Sequence, residues 1–300
     1  MHANQFVLAT KDLSRRRARL TMIAPLALSL LLPATALAEQ ATISSNGVQI
    51  HFVDEGEGEA VVFLHGFAGS SDMWPAIGLM PMSGFRTIAL DARGHGSSDK
   101  PNDASAYGLA MVDDVVAVME DRGVGKAHFV GYSMGAETAL KLAVTHPDRV
   151  ASLIIAGSGW SGEAEAEAYG FVSGALSETE TFGSFMAAMA PPDQDMPPEA
   201  QAAMLELLAA HGIDPIQPAR PLAAVAAALP EIIDLDAAEL SAITAPVLGL
   251  AGRDDPEHDN VARLAGPLPN FTFVSIEGAD HLMAPLSPDF ASAVIDFLGN

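Results

Sequence analysis

The 300-residue chain contains no cysteine. That absence excludes disulfides, thiol nucleophiles, iron–sulfur clusters and lipoprotein acylation, so an exported form must rely on its core. Cations are scarce as well. Fifteen Lys and Arg stand against 38 Asp and Glu, a formal charge of -23. Such a field repels a polyanion, and no basic stripe offsets it, so nucleic acid is excluded as a partner. Nor is there an uninterrupted apolar run of the roughly 20 residues that span a bilayer. What the chain has is apolar content. At 49% hydrophobic and 18% charged it is no disordered polymer, and its length suits one large core with room for an inserted subdomain.

Residues 1–38 read separately from the rest. Arg15, Arg16, Arg17 and Arg19 precede an apolar run from Leu20 to Leu32, broken at Pro25, and Ala36-Leu37-Ala38 follows. This is the order of a cationic segment, a short apolar segment and a small-residue cleavage site. A signal peptide over 1–38 is expected, with a periplasmic or secreted mature chain and no stable membrane insertion after processing.

After Glu39 short apolar runs alternate with helical patterns. Residues 42–53 contain the hairpin signal Asn46-Gly47. The runs Val61–Leu64, Thr87–Leu90, His128–Val130, Leu153–Ile155 and Val247–Leu250 read as strands, and 109–121, 134–145 and 285–298 as helices. The alternation predicts an α/β fold, a mostly parallel central sheet with helices on both faces. It stops between 159 and 240, a stretch rich in Ala and Met with Pro191-Pro192 and Pro197-Pro198. That stretch is expected to be a helical cap inserted into a core of 39–158 and 241–300. Glu163, Glu165 and Glu167 alternate within it and read as a solvated helix face, because carboxylates two apart do not share a helical side.

Gly131-Tyr132-Ser133-Met134-Gly135 lies between a strand ending near Val130 and a helix starting near Ala136. A serine on so sharp a turn needs small flanking residues, and the turn presents its Oγ at the carboxyl edge of the sheet. A nucleophilic serine needs a base, an orienting acid and oxyanion donors. The stretch His65-Gly66-Phe67 follows a strand where a backbone N–H can face the nucleophile, so the donors are assigned to the N–H groups of Phe67 and Met134, with His65 structural. Gly278-Ala279-Asp280-His281 offers the base and Gly252-Arg253-Asp254-Asp255 the acid. The chain order serine, aspartate, histidine is an independent check.

The stretches HGFAGSSDMW (His65 to Trp74), DARGHGSS (Asp91 to Ser98), GYSMG (Gly131 to Gly135) and GADH (Gly278 to His281) together resemble the α/β-hydrolase superfamily. Within it, the likeness is to the capped branch of small esterases, cofactor-free haloperoxidases and carbon–carbon bond hydrolases. The resemblance implies a Ser133–Asp255–His281 triad, since relatives place the acid three residues after the glycine that ends the strand. It implies no cofactor, an acyl-enzyme, and a small-molecule substrate expected to be an apolar acyl compound. Carbon–carbon hydrolase and perhydrolase are alternatives with the same apparatus. A non-catalytic binding protein is the alternative from another class. Ser133 stands where haloalkane dehalogenases and epoxide hydrolases of this fold carry aspartate. Phe67-Ala68-Gly69 stands where proline iminopeptidases carry Gly-Gly-Pro.

The remaining histidines form no metal-ligand spacing, and no metal is expected. His95, near Asp91, reads as shaping a turn, and His258 as lying in a solvated acidic loop. Phe171, Phe182, Phe185, Met186 and Met189 suit either a pocket wall or the cap's own core. Trp74 and Trp160 are placed at the expected mouth.

Overall fold

A computed structural model describes residues 38–160, 163–190 and 197–299. The expected signal peptide, apart from Ala38, and Pro191-Pro192 lie outside the described residues. The strands are β1 (Glu39–Ser45), β2 (Val48–Gly56), β3 (Glu59–Leu64), β4 (Phe85–Leu90), β5 (Ala127–Tyr132), β6 (Val150–Ala156), β7 (Val247–Gly252) and β8 (Phe271–Ile276). They form one sheet in the order β1-β2-β4-β3-β5-β6-β7-β8. The first two pairings are antiparallel and the rest parallel. The Asn46-Gly47 turn joins β1 to β2 with both residues at positive φ, 51° and 81°, as a tight hairpin of this hand requires.

The helices are α1 (Met73–Ala76), α2 (Ala110–Asp121), α3 (Met134–Thr145), α4 (Glu163–Ser177), α5 (Phe182–Met189), α6 (Pro198–Ala210), α7 (Ala219–Ile233), α8 (Ala237–Ser241), α9 (His258–Ala262) and α10 (Pro288–Leu298). Because side chains alternate along a strand, β3 feeds two apolar layers at once. Val62 and Leu64 join the layer with Met134, Leu140, Leu229 and Ile232. Val61 and Phe63 join the other, with Trp74, Ile154, Phe290 and Val294. This two-sided burial explains why β3, β5, β6 and β7 read as continuous apolar runs.

Between β6 and β7 the described residues hold only helices, α4 to α8. Hydrogen bonds attach this stretch to loops at the carboxyl edge of the sheet. Gln217 Nε2 donates to Ala68 O at 2.7 Å, Ser70 Oγ to Gly212 O at 3.0 Å, and His211 Nε2 pairs with Leu282 O at 2.8 Å. Among the described residues no helix is long and apolar enough to cross a membrane.

Two aromatic placements differ from expectation. Trp74 is fully buried, its ring 4.9 Å from Phe63, so it fills the layer beneath the sheet and not the mouth. Phe171 and Met189, 65% and 47% exposed, face outward. Phe182, Phe185 and Met186 instead pack with Phe67 and Ala68, behind the loop that follows β3.

Candidate active site

Ser133 joins β5 to α3 at φ 53° and ψ -121°, a backbone state costing about 1–3 kcal/mol that persists only where its surroundings enforce it. The enforcement is visible. Ser133 N–H donates to Ala156 O at 2.7 Å, and Ser133 O accepts from Ala136 N–H at 2.8 Å. A Cβ on Gly131 would lie 2.4 Å from Gly135 O, and one on Gly135 only 2.0 Å from Leu64 O. Only glycine fits either place, which gives the five-residue pattern its physical content.

The structure brings the three expected side chains into one hydrogen-bonded line. His281 Nε2 lies 3.2 Å from Ser133 Oγ, and its Nδ1 lies 3.0 Å and 3.2 Å from the two Asp255 oxygens. A carboxylate beside Nδ1 favours the tautomer that carries its proton there and leaves Nε2 free to accept. Asp255 has no side-chain exposure, and its Oδ1 also accepts from Glu257 N–H at 2.8 Å. Asp254 is exposed and stands apart. Burial alone would lower the pKa of His281, but the hydrogen bond and charge of Asp255 oppose it, with Glu257 and Asp280 adding, and the balance is raised. The loop carrying His281 is held at two successive carbonyls. The Tyr132 hydroxyl donates to His281 O, and His211 meets Leu282 O.

Among the described residues neither Phe67 N–H nor Met134 N–H donates a hydrogen bond. His65 stays beneath this loop: Ala92 N–H donates to its Nε2 at 3.0 Å, so its Nδ1–H donates to Gly66 O at 2.8 Å. Burial lowers the pKa of His65, and pushes that of His95 down to about 3. Both rings are buried props of the loop. The Asp91 turn is similarly knit, its carboxylate accepting from Ser71 and Ser97 N–H at 2.7 Å. His258 is not solvated as expected; Ser275 Oγ at 3.1 Å and the Phe273 ring cover it.

Two cavities meet at Ser133. One of about 550 Å³ is lined by Ser133, His281, Glu165, Tyr169, Val172 and Glu257, among others. The other, of about 110 Å³, is lined by Phe67, Tyr132, Ser133, His211, Ile213 and Leu282. The larger holds a group the sequence reading assigned to solvent. Glu165 turns inward and hydrogen-bonds to Glu137, which is 2% exposed. Tyr169 Oη donates to both Glu137 oxygens, at 2.7 Å and 2.9 Å, and Ser158 Oγ donates to one at 2.9 Å. Burial raises the pKa of both carboxyls. The charge of Glu137 adds to it at Glu165, which reaches about 9. A signal for this existed. Glu165, Tyr169 and Val172 stand at i, i+4 and i+7, one face of a helix, a spacing that the alternation 163, 165, 167 hides. Among the described residues no group of three or more His, Asp or Glu is arranged to hold a metal.

A family model described as the alpha/beta hydrolase fold matches residues 59–285, a span that includes Ser133, Asp255 and His281. A curated relative, 2-hydroxy-6-oxononadienedioate/2-hydroxy-6-oxononatrienedioate hydrolase of Comamonas testosteroni, is 39% identical over 128 residues, 40% of this chain and 45% of the relative. The chain spans less than half the length of the curated relatives it matches. Solved structures align more fully. A carboxylesterase structure from Nitrososphaera gargenis superposes with a TM-score of 0.73 at 21% identity, over 87% of this chain and 98% of that one. A thermophilic esterase from Thermogutta terrifontis does so with a TM-score of 0.69 at 26% identity, over 87% and 98%. A family match across three quarters of the residues, the sheet order and the strained serine between β5 and α3 agree: the chain belongs to the α/β-hydrolase fold family.

Proposed function

We propose that the protein is a serine hydrolase that cleaves carboxylic esters through an acyl-enzyme on Ser133. The observation that carries this is the line Ser133 Oγ, His281, Asp255, with contacts of 3.2 Å and 3.0 Å. His281 removes the hydroxyl proton as Ser133 attacks the ester carbonyl, and the N–H groups of Phe67 and Met134 receive the oxyanion. His281 then gives that proton to the leaving alcohol. Water enters and attacks the acyl carbonyl as it loses a proton to His281, and His281 returns that proton to Ser133 Oγ as the bond to the acyl group breaks and the acid leaves. Asp255 holds the imidazole in the required tautomer throughout. The likeness to the Thermogutta terrifontis esterase supports an ester as substrate. Ser133 at the nucleophile position argues against epoxide opening by an aspartate.

A second reading, carbon–carbon bond cleavage by the same residues, is favoured by the likeness to the dienedioate hydrolase. A dioate is a dianion, and the larger cavity is lined by Glu165, Asp255 and Glu257 with Arg263 as the cation of its lining. That balance favours the ester. The test is labelling by a fluorophosphonate together with turnover of 4-nitrophenyl esters, in wild type and Ser133→Ala. Both signals are expected in wild type and neither in the variant. A wild-type protein that neither labels nor turns over would leave a binding protein on the hydrolase scaffold. Export belongs to the same proposal, and mass spectrometry of the mature protein from its native host should find a chain starting at Glu39.

A further inference from the structure

Building on that serine-hydrolase reading, we infer that Glu165, backed by Glu137, makes the larger cavity select substrates whose far end carries a hydrogen-bond donor over substrates whose far end carries a carboxylate. The placement comes from the chain itself. Glu137 lies four residues after Ser133 in the first turn of α3, on the same side of the helix, so the carboxyl pair sits one turn from the nucleophile. Glu165 closes the wall from α4, on the stripe that also brings Tyr169 and Val172 to the cavity.

The hydrogen-bond inventory gives the wall its sign. The hydroxyls of Tyr169 and Ser158 are both spent on Glu137. Glu165 receives only a 3.5 Å contact from Ser158, and its Oε2 is buried with no donor among the described residues. Buried polar atoms without partners are uncommon because each forfeits its hydration. A hydroxyl or ammonium group on the substrate supplies the missing donor. A carboxylate supplies none, and brings negative charge to a wall where Glu165, backed by Glu137, already holds a proton to relieve its own charge and Glu257 stands beside it. The cation of the lining, Arg263, is exposed and directed to Trp160 O at 3.4 Å. Burial raises the proton affinity of both carboxyls, and the charges of Glu137 and Glu257 add to it at Glu165. Ala168 and Val172 provide the apolar part of the wall, so the acyl chain keeps the apolar contact expected of it and ends against a polar patch.

The experiment uses four 4-nitrophenyl esters of equal chain length whose acyl groups end in methyl, hydroxyl, ammonium or carboxylate. Values of kcat/KM are measured at pH 7.5 in wild type, Glu165→Gln and Tyr169→Phe, with fluorophosphonate labelling of each. In wild type the hydroxyl- and ammonium-ended esters should each exceed the carboxylate-ended one by tenfold or more. Glu165→Gln should lower the ammonium-to-carboxylate ratio at least fivefold, because the amide has a second N–H to offer a carboxylate, whereas the one proton of the Glu165 carboxyl is spent on Glu137. Tyr169→Phe keeps both carboxyls and should retain a ratio above one, which guards against a misfolded Gln variant. A labelled wild-type enzyme that hydrolyses all four equally, or a ratio unmoved in a labelled Glu165→Gln, overturns the selectivity and leaves the serine-hydrolase reading standing. Absence of labelling and turnover in wild type overturns that reading, and this inference with it.

Discussion

Asp255 and Glu165 both line the larger cavity, Glu165 with Glu137 behind it, and their carboxyls are answered in different ways. Asp255 meets an imidazole that can take a positive charge, and a backbone N–H. Glu137 and Glu165 meet one another, and only Glu137 receives good hydroxyl donors. The first arrangement gives the carboxyl a partner that can carry the opposite charge. The second relieves its charge by holding a proton. Environment and not residue type divides the roles of carboxyls that share one cavity.

The largest expected effects break the triad side. Ser133→Ala should lower ester kcat by at least ~10⁴-fold, since members of such a unit fail together. Asp255→Asn should lower it by about 10³ to 10⁴, because the amide favours the wrong imidazole tautomer. Steady-state kinetics on purified variants checks both, and near-wild-type turnover in either would dissolve the assignment. A smaller effect follows from the raised pKa of His281. The base must be neutral, so kcat/KM should fall as pH drops through that pKa, with the midpoint of the acid limb above 6.5. A pH profile flat down to pH 6 would contradict it.

The other side predicts a stability effect of its own sign. A carboxyl whose pKa rises on folding contributes stability present below its unfolded value, near 4.5, and lost as pH rises towards about 9. Glu165→Gln does not titrate. Between pH 5 and pH 9 the wild-type Tm should therefore fall further than the variant's, by about 2 °C or more. Parallel Tm curves would show that the pair holds no proton. The smallest effect sharpens the first comparison. Asp254→Asn should cost less than about tenfold in kcat, under ~1.4 kcal/mol of barrier, because Asp254 is exposed and only Asp255 reaches His281.

What the sequence disclosed follows from which interactions are local. The hairpin turn, the apolar runs and the glycines around Ser133 each answer to neighbours a few residues away, and they could be read. Asp255, and not Asp254, is implied only by the resemblance, since relatives carry the acid three residues after the glycine that Gly252 matches. Glu137, Glu165 and Tyr132 could not be read, because their partners lie on other elements: Tyr169 for the first, the His281 loop for the last. Trp74 misled for a related reason. Its position after β3 suggested the mouth, but its ring turns back to Phe63 in the layer beneath.

The two carbonyls after Asp280 have a consequence for how this protein could be rebuilt. One is held by Tyr132 from the sheet, the other by His211 from the inserted helices. The insertion is therefore no interchangeable lid. A cap grafted from another family member would leave Leu282 O without its donor and loosen the histidine next to it. New substrate ranges are better sought by substitution within α4, which lines the larger cavity, than by replacing the whole stretch and with it the anchor at His211.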